Sequence, residues 1–558
     1  MQTTPPQRIQ ELTEQGLWGT DTLHGLLAKR AASHPDALAL ADQPNRADLT
    51  GTPPRRLSFS GLDTASDYLA ANLLAQGVGA GDRVMVQLPN ISELVICYYA
   101  LSKLGAVISP VPVQYGRHEL ASLAAQLKPS LFLSITRFRE TPLATLASDA
   151  LPDTPIMRFD EELSIDAASQ EALAALQEHR NKTPDDANRT ITICWTSGTT
   201  GTPKGVPRSH NMWLATARVT AHAGGYLEGE TLLNPFPLVN MAAVGGFLFA
   251  AAELGCALVL HHPLEPALFL QQLQDERANF TIAPPALLNQ LAKNPAMWAQ
   301  FDFSALRAVG SGSAPLSADM IAVMEGDYGK PVINFYGSNE GISLFSTPDT
   351  APEPDVRAAL FPRFGVADMP FSGMVHDTVK SRVIDPETGD DITTSGTPGE
   401  LCFAGATVFD GYLDHDGTDV FTADGYFRTG DLVEICGEPP HYYRIVGRCK
   451  DIINRGGMKI SPAEIDTLLE GFPGLAEAAV CAYADERLGE KICACVVPQQ
   501  DNDPPSLEAV CDFLRERGLA TFKLPERIAV LKALPRNPMN KVVRADLQNA
   551  IAKSENPI

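Results

Sequence analysis

One stretch constrains the fold of this chain more than any other: Thr196 to Gly205, reading Thr-Ser-Gly-Thr-Thr-Gly-Thr-Pro-Lys-Gly. It follows Ile191, Thr192, Ile193, Cys194 and Trp195, a β-branched and aromatic run that predicts a buried strand. Hydroxyls, glycines and a lysine therefore emerge together at a strand end. Gly198, Gly201 and Gly205 permit backbone angles that aim successive N–H groups at one point. Ser197, Thr199, Thr200 and Thr202 add hydroxyl donors, and Lys204 adds a full positive charge. Such a cradle suits a phosphate. It is not a Walker P-loop, because counting from Gly198 puts Pro203 where the second glycine must stand. A plain surface turn accounts for the small residues but not for the lysine.

At 558 residues the chain is too long for one core and is expected to divide into at least two domains. Its 44% hydrophobic and 20% charged residues are ordinary for a globular protein. A formal net charge of -23 repels phosphodiester backbones and anionic membranes, so nucleic acid is not an expected partner. The ten cysteines contain no CxxC pair, and Cys493 and Cys495, on one face of a strand, read as core filler rather than metal ligands. A reducing cytoplasm is the expected location, with no structural zinc, and the N-terminal residues show no export signal. Met241 to Leu260 has the length of a membrane span and carries one charge, Glu253. Gly245, Gly246 and Gly255 interrupt it, and it divides into a buried helix before Gly255 and a strand from Cys256 to Leu260. No membrane span is expected.

Before the loop, helical and strand patterns alternate in the manner of an α/β layer fold. Leu23 to Ser33 and Glu93 to Gly105 read as helices, and Asp82 to Leu88 and Ala106 to Val111 as strands. After it come Asn234 to Met241, then Gly310-Ser311-Gly312-Ser313-Ala314-Pro315 at the end of a strand, then Val332 to Phe335 leading into Tyr336-Gly337-Ser338-Asn339-Glu340. Gly399 to Leu401, Gly411-Tyr412 and Tyr426 to Asp431 form a further cluster, followed by Gly447 to Gly457. Ser461, Pro462 and Glu464 spell a capping box, and Glu477–Tyr483, Lys491–Val497 and Ser506–Arg517 read as two strands and a helix. Near the end stands Leu534 to Lys541, in which Asn540 is among the non-glycine residues most tolerant of positive φ.

In this order the blocks resemble the adenylate-forming superfamily, over nearly the whole chain. The resemblance implies a large N-terminal domain of wound α/β sheets, residues 1–449, and a small mobile α+β C-terminal domain, residues 450–558, with Lys450 as hinge. It implies that Thr196, Ser197, Gly198, Thr199, Thr200, Gly201 and Lys204 hold the phosphates of ATP, and that Gly312, Ser313, Ala314, Pro315, Asn334, Tyr336 and Gly337 surround the adenine. Asn339 takes the place of a threonine on the α-phosphate, and Glu340 is the Mg2+ ligand, a hard carboxylate for a hard cation. Asp431 and Arg448 hold ribose, and Lys541 is the catalytic lysine that stabilises charge on the α-phosphate. Gly456 and Gly457 present the thiol-binding face, and Asn240, Met241, Val244, Gly312 and Gly337 line the acid pocket.

The implied activity is ATP-dependent activation of a small carboxylic acid to an acyl-adenylate, followed by thioester formation with coenzyme A. Pro207-Arg208-Ser209-His210 and the segment Gln87 to Glu119 resemble the aryl-acid adenylating enzymes such as those activating 2,3-dihydroxybenzoate. Those enzymes carry His-Asn where this chain has Asn240-Met241. Three other readings stand beside the first: an adenylating enzyme that loads a carrier-protein phosphopantetheine, a luciferase-like oxidase, and a nucleotide-binding protein without turnover. The asparagines at 240, 339 and 540 are the support for the last.

Overall fold

The computed structural model describes residues 3–196, 203–312, 316–414, 420–455, 458–485, 487–499, 503–517, 519–536 and 542–553. The chain forms two compact units, Met1–Ser381 with Phe403–Phe427, and Arg382–Cys402 with Arg428–Ile558. The expected class holds: a large mixed α/β unit with wound sheets and a smaller α+β one. The position proposed for a hinge, Lys450, lies inside the second unit.

The first unit is built on two sheets. One has six strands in the order Ile156–Arg158, Leu131–Ser134, Arg83–Val86, Val107–Pro110, Thr190–Thr196, Lys204–Ser209. Its pairings are parallel except the last, an antiparallel hairpin that places Trp195 opposite Gly205 and Thr196 opposite Lys204. The other has eight, ordered Ser343–Ser346, Val332–Gly337, Ala308–Gly312, Phe280–Ile282, Thr231–Asn234, Ala257–Leu260, Leu38–Ala41, Arg56–Ser58, and only its two outer pairings are antiparallel. Parallel strands need covering on both faces, and their sequences are correspondingly apolar throughout. The helix Ser92–Leu104 supplies such cover and is buried on every side, closing at Gly105 in the left-handed region. One continuous core takes in Val84 and Ile108 from the first sheet and Leu232 and Leu258 from the second.

Met241 to Leu260 folds as a buried segment and strand. Between Met241–Ala243 and Ala250–Leu254 the helix widens into a π-helical turn, Val244–Phe249, before Gly255 ends it and the strand Ala257–Leu260 begins. A side chain at Gly245 would collide with Thr216 and Trp213, so the glycine lets this helix press on the helix His210–Gly224. Among the described residues no helix is long and apolar enough to cross a membrane.

In the second unit the strands Phe427–Cys436 and Tyr442–Arg448 pair antiparallel, and a further sheet joins Met458–Ile460, Ile453–Arg455, Gly489–Pro498, Leu475–Asp485 and Arg527–Val530. Alternation sorts the two faces of the last sheet. Val480, Ala482, Ile492, Ala494 and Val496 pack with Ile465 and Leu514 from the helices Pro462–Leu469 and Leu507–Glu516. Ala479, Cys481, Cys493 and Cys495 face Leu547 and Ile551 of Arg544–Lys553. The two cysteines expected to be core filler are completely buried, and no cluster of His, Cys, Asp or Glu among the described residues could hold a metal.

One expectation fails here. Ser461 precedes the helix Pro462–Leu469 but makes no capping bond; its hydroxyl donates to the Val446 carbonyl, and Glu464 instead pairs with Lys523 at 2.7 Å. A tertiary carbonyl takes the hydroxyl that would otherwise turn toward the first-turn amides.

Candidate functional site

The hairpin Thr190–Thr196 and Lys204–Ser209 brings Lys204 to the open end of its sheet, beside the segment Gly411–Leu413. Leu413 N–H donates to the Gly205 carbonyl at 2.8 Å, and the missing side chain at Gly205 leaves room for Ile193 and Leu413. The Lys204 ammonium stands 4.7 Å from the centroid of the Tyr412 ring. Ser197, Gly198, Thr199, Thr200, Gly201 and Thr202 of the predicted cradle lie outside the described residues, as do Ser313, Ala314, Pro315, Gly456, Gly457, Asn540 and Lys541.

Glu340 sits at the turn between Val332–Gly337 and Ser343–Ser346. It is 8% exposed, and the Tyr412 hydroxyl donates to its Oε1 at 2.8 Å. Among the described residues no ammonium or guanidinium lies within ion-pair distance of its carboxylate. A buried carboxylate in that condition is suited to a metal ion, the partner that offsets its desolvation. Its backbone is pinned: Phe409 N–H donates to the Glu340 carbonyl at 2.9 Å, and Thr407 Oγ1 to the Gly341 carbonyl at 2.8 Å. Gly341 has φ +110°, and a Cβ there would lie 2.0 Å from the Thr407 carbonyl oxygen, so no other residue fits.

Asn339 uses both ends of its amide on the protein. Nδ2 donates to the Trp195 carbonyl at 3.0 Å, and Oδ1 accepts from Met241 N–H at 2.8 Å. It thus ties the end of the strand Thr190–Thr196 to the predicted acid pocket. Asn240 caps the next helix, its Oδ1 accepting from Ala243 N–H at 3.2 Å. Met241 covers Gly337, where an added Cβ would meet its Cε at 2.4 Å, so two predicted pocket residues do touch. At Gly312 the space is taken by the Phe335 carbonyl, 2.1 Å from a notional Cβ. Val244 is fully buried. Tyr336 lies against Phe361 with ring centroids 5.6 Å apart, while Asn334 donates to the Arg357 and Ala358 carbonyls.

Arg208 is the group that sequence reasoning left without a role. Fully buried, it donates to the carbonyls of Asn339 (3.2 Å), Met212 (2.9 Å) and Thr407 (2.6 Å) and to Thr216 Oγ1 (2.8 Å), with its guanidinium 4.1 Å from the Trp213 ring centroid. Burial pulls its pKa down to about 9. Tyr412 was visible in Gly411-Tyr412 but carried no assignment. Arg8, which binds Asp410 and the Gly405 and Val408 carbonyls from some four hundred residues away, had no signal at all. A Ser102–His24–Asp185 chain also exists, at 2.7 and 2.9 Å, but Ser102 lies on the helix buried on every side and has no face for a substrate.

In the second unit Asp431 and Arg448 are opposite one another in the strand register and pair at 2.7 Å. Beside them Glu400 binds Arg428 at 2.5 Å and accepts from Gly430 N–H at 3.0 Å. Lys450 lies in the short turn Cys449–Asp451, where burial lowers its pKa. Either side of the segment holding Lys541, Arg536 and Val542 form an antiparallel bridge.

The AMP-binding enzyme family model matches residues 27–413, and the AMP-binding enzyme C-terminal domain model residues 464–541. The chain is 29% identical to enterobactin synthase component E of Escherichia coli strain K12 over 562 aligned residues, covering 98% of each. It is also 29% identical to the medium-chain fatty-acid–CoA ligase of the same strain, covering 98% of this chain and 93% of that one. Among solved structures, o-succinylbenzoate coenzyme A synthetase of Bacillus subtilis in complex with ATP and magnesium ion aligns with TM-score 0.75 at 23% identity, covering 94% and 98%, a likeness of fold.

Proposed function

This chain belongs to the AMP-binding enzyme family of the adenylate-forming superfamily, and from that premise we propose that it is an acid–thiol ligase. In this reading a small carboxylic acid and ATP give an acyl-adenylate and pyrophosphate, and coenzyme A then takes the acyl group as a thioester. The observation that carries the first half is the corner where Lys204, Tyr412 and the buried Glu340 meet: a cation for the leaving phosphates beside a carboxylate without a cationic partner among the described residues. Glu340 would hold magnesium there, and the bound metal would supply charge neutralisation for the phosphates.

The chain's own groups then divide the work. Lys204 attracts the leaving phosphates, and Lys541 stabilises charge on the α-phosphate as the carboxylate attacks in line. Asp431 is assigned to ribose with Arg448, Lys450 is the hinge between residues 1–449 and 450–558, and Gly456 and Gly457 serve the thiol. These assignments rest on the resemblance. Asn339, whose amide links Trp195 and Met241 with one Nδ2 hydrogen left over, is read as positioning the acid pocket beside its expected phosphate contact.

The coenzyme A reading is supported by the medium-chain fatty-acid–CoA ligase among the relatives. A carrier-protein acceptor is the second reading, favoured by enterobactin synthase component E and by the aryl-acid resemblance of Pro207 to His210. Acid-dependent pyrophosphate release across aryl, alicyclic and aliphatic acids, with and without coenzyme A, tests both. Release that accelerates with coenzyme A and yields an acyl-CoA supports the first reading. Release that stalls after one turnover despite coenzyme A supports the second. No acid-dependent release from any panel member overturns adenylation itself.

A further inference from the structure

Tyr412 meets two charged groups with two different parts of one side chain. The face of its ring lies 4.7 Å from the Lys204 ammonium, and its hydroxyl donates to Glu340 Oε1 at 2.8 Å. Aromatic faces attract cations and phenolic hydroxyls bind carboxylates, so each contact is favourable on its own. Together they hold a cation and an anion apart at a fixed spacing. That matters because Lys204 and Glu340, left to themselves, would gain by closing into an ion pair, and a closed pair would satisfy both without a ligand.

The residue is also firmly mounted. Leu413 N–H binds the Gly205 carbonyl, which fixes the segment to the hairpin carrying Lys204. Phe409 N–H binds the Glu340 carbonyl, and the Phe409 ring stands edge-on to the Tyr412 ring at 4.9 Å between centroids. From the other side Arg8 grips the Gly405 and Val408 carbonyls and Asp410, and the Trp18 indole donates to the Ala406 carbonyl at 3.1 Å. An N-terminal segment ahead of the matched family region thus braces the turn that presents Tyr412.

We infer that Tyr412 is a positioning residue with separable halves: its ring pre-places Lys204 for the phosphates of a nucleotide, and its hydroxyl orients the Glu340 carboxylate for a divalent cation. This rests on the adenylation reading above. Groups that orient a metal-binding carboxylate change metal affinity by about tenfold or more when lost, whereas an exposed cation–π contact is worth a few-fold.

The test is calorimetric binding of ATP to the full-length chain, without divalent cation and then across a magnesium series, for wild type, Y412F and Y412L. Y412F keeps the ring and is expected to bind metal-free ATP as wild type does, while the half-saturating magnesium concentration rises about tenfold. Y412L is expected to show that magnesium shift and, in addition, about threefold weaker metal-free ATP binding. A merely structural role would move both readings together in Y412F, in step with any fall in its thermal midpoint, and that outcome overturns the inference. So does an unchanged magnesium dependence in Y412F, or identical behaviour of the two variants. Failure of wild type to bind ATP at all would instead overturn the adenylation reading, and this inference with it.

Discussion

Two sets of buried carboxylates in this protein are treated in opposite ways. In the second unit Glu400 and Asp431 are each matched by a guanidinium, Arg428 at 2.5 Å and Arg448 at 2.7 Å. In the first unit Glu340 is also buried, yet among the described residues its side-chain hydrogen bond is with a phenol, while Lys204 is held over a ring and Arg208 spends its guanidinium on carbonyls and a hydroxyl. A matched pair already has its charge satisfied, so a ligand such as the ribose proposed at Asp431 and Arg448 would add hydrogen bonds there rather than a missing charge. A buried carboxylate from which cations are kept back stores a demand that a metal can meet, at a cost to the empty fold.

The hardest test of that contrast is Glu340→Gln. It is expected to lower acid-dependent pyrophosphate release by about 10²- to 10³-fold while leaving the thermal midpoint unchanged or slightly raised, because a buried charge is removed and no close ion pair among the described residues is broken. A clear fall in the midpoint would mean that Glu340 is a structural residue like Glu400. The mirror experiment is Glu400→Gln, expected to cost about 1–3 kcal/mol of stability, read by denaturant unfolding, since Arg428 and Gly430 N–H lose a charged acceptor.

Acid should separate the two units. Burial holds His210 neutral, with its pKa near 3, and His262 near 4, both in the first unit. Each folded value lies below the unfolded one of about 6.5, so the unfolded chain binds protons first and stability is lost as pH falls from about 6.5 toward 4 and 3. Hydrogen exchange at pH 5 against pH 7.5 is expected to show protection falling around His24, His210 and the helix Leu23–Ser33, where His210 Nδ1 accepts from Leu23 N–H. Equal protection at both pH values would contradict this.

Asn339→Ala is expected to raise the KM for the acid by about tenfold, because the Met241 N–H and Trp195 carbonyl each lose a partner, with a smaller change in the KM for ATP. The reverse ranking would favour Asn339 as a phosphate ligand over a pocket-positioning residue. The smallest effect is predicted for Glu464→Gln, within about 1 kcal/mol, since its bond is a half-exposed pair with Lys523 and not a helix cap.

Much of the fold was legible because the signals are local. Leu23–Ser33 has the predicted bounds, Gly105 and Gly255 end their helices in left-handed geometry, and Cys493 and Cys495 alternate into a buried face. The capping box failed because a hydroxyl chooses among all acceptors within reach, including one fifteen residues away at Val446. The place of Asn339 in its motif carries the expectation of a phosphate donor, while its contacts with Trp195 and Met241 join segments far apart along the chain and could not be read there.

The order of the motifs, written in residue types with strong local requirements, determined the family and the class of chemistry from sequence alone. Glycines, capping residues and apolar periods act over a few residues, so the chain carries them openly. Which charges are paired was decided only by the tertiary structure. That Arg208 lies under Asn339, that Tyr412 stands between Lys204 and Glu340, and that Arg8 braces Asp410 are contacts across tens to hundreds of residues. Desolvation and partner distance set the behaviour of each charge, and both are properties of packing rather than of the residue that bears it.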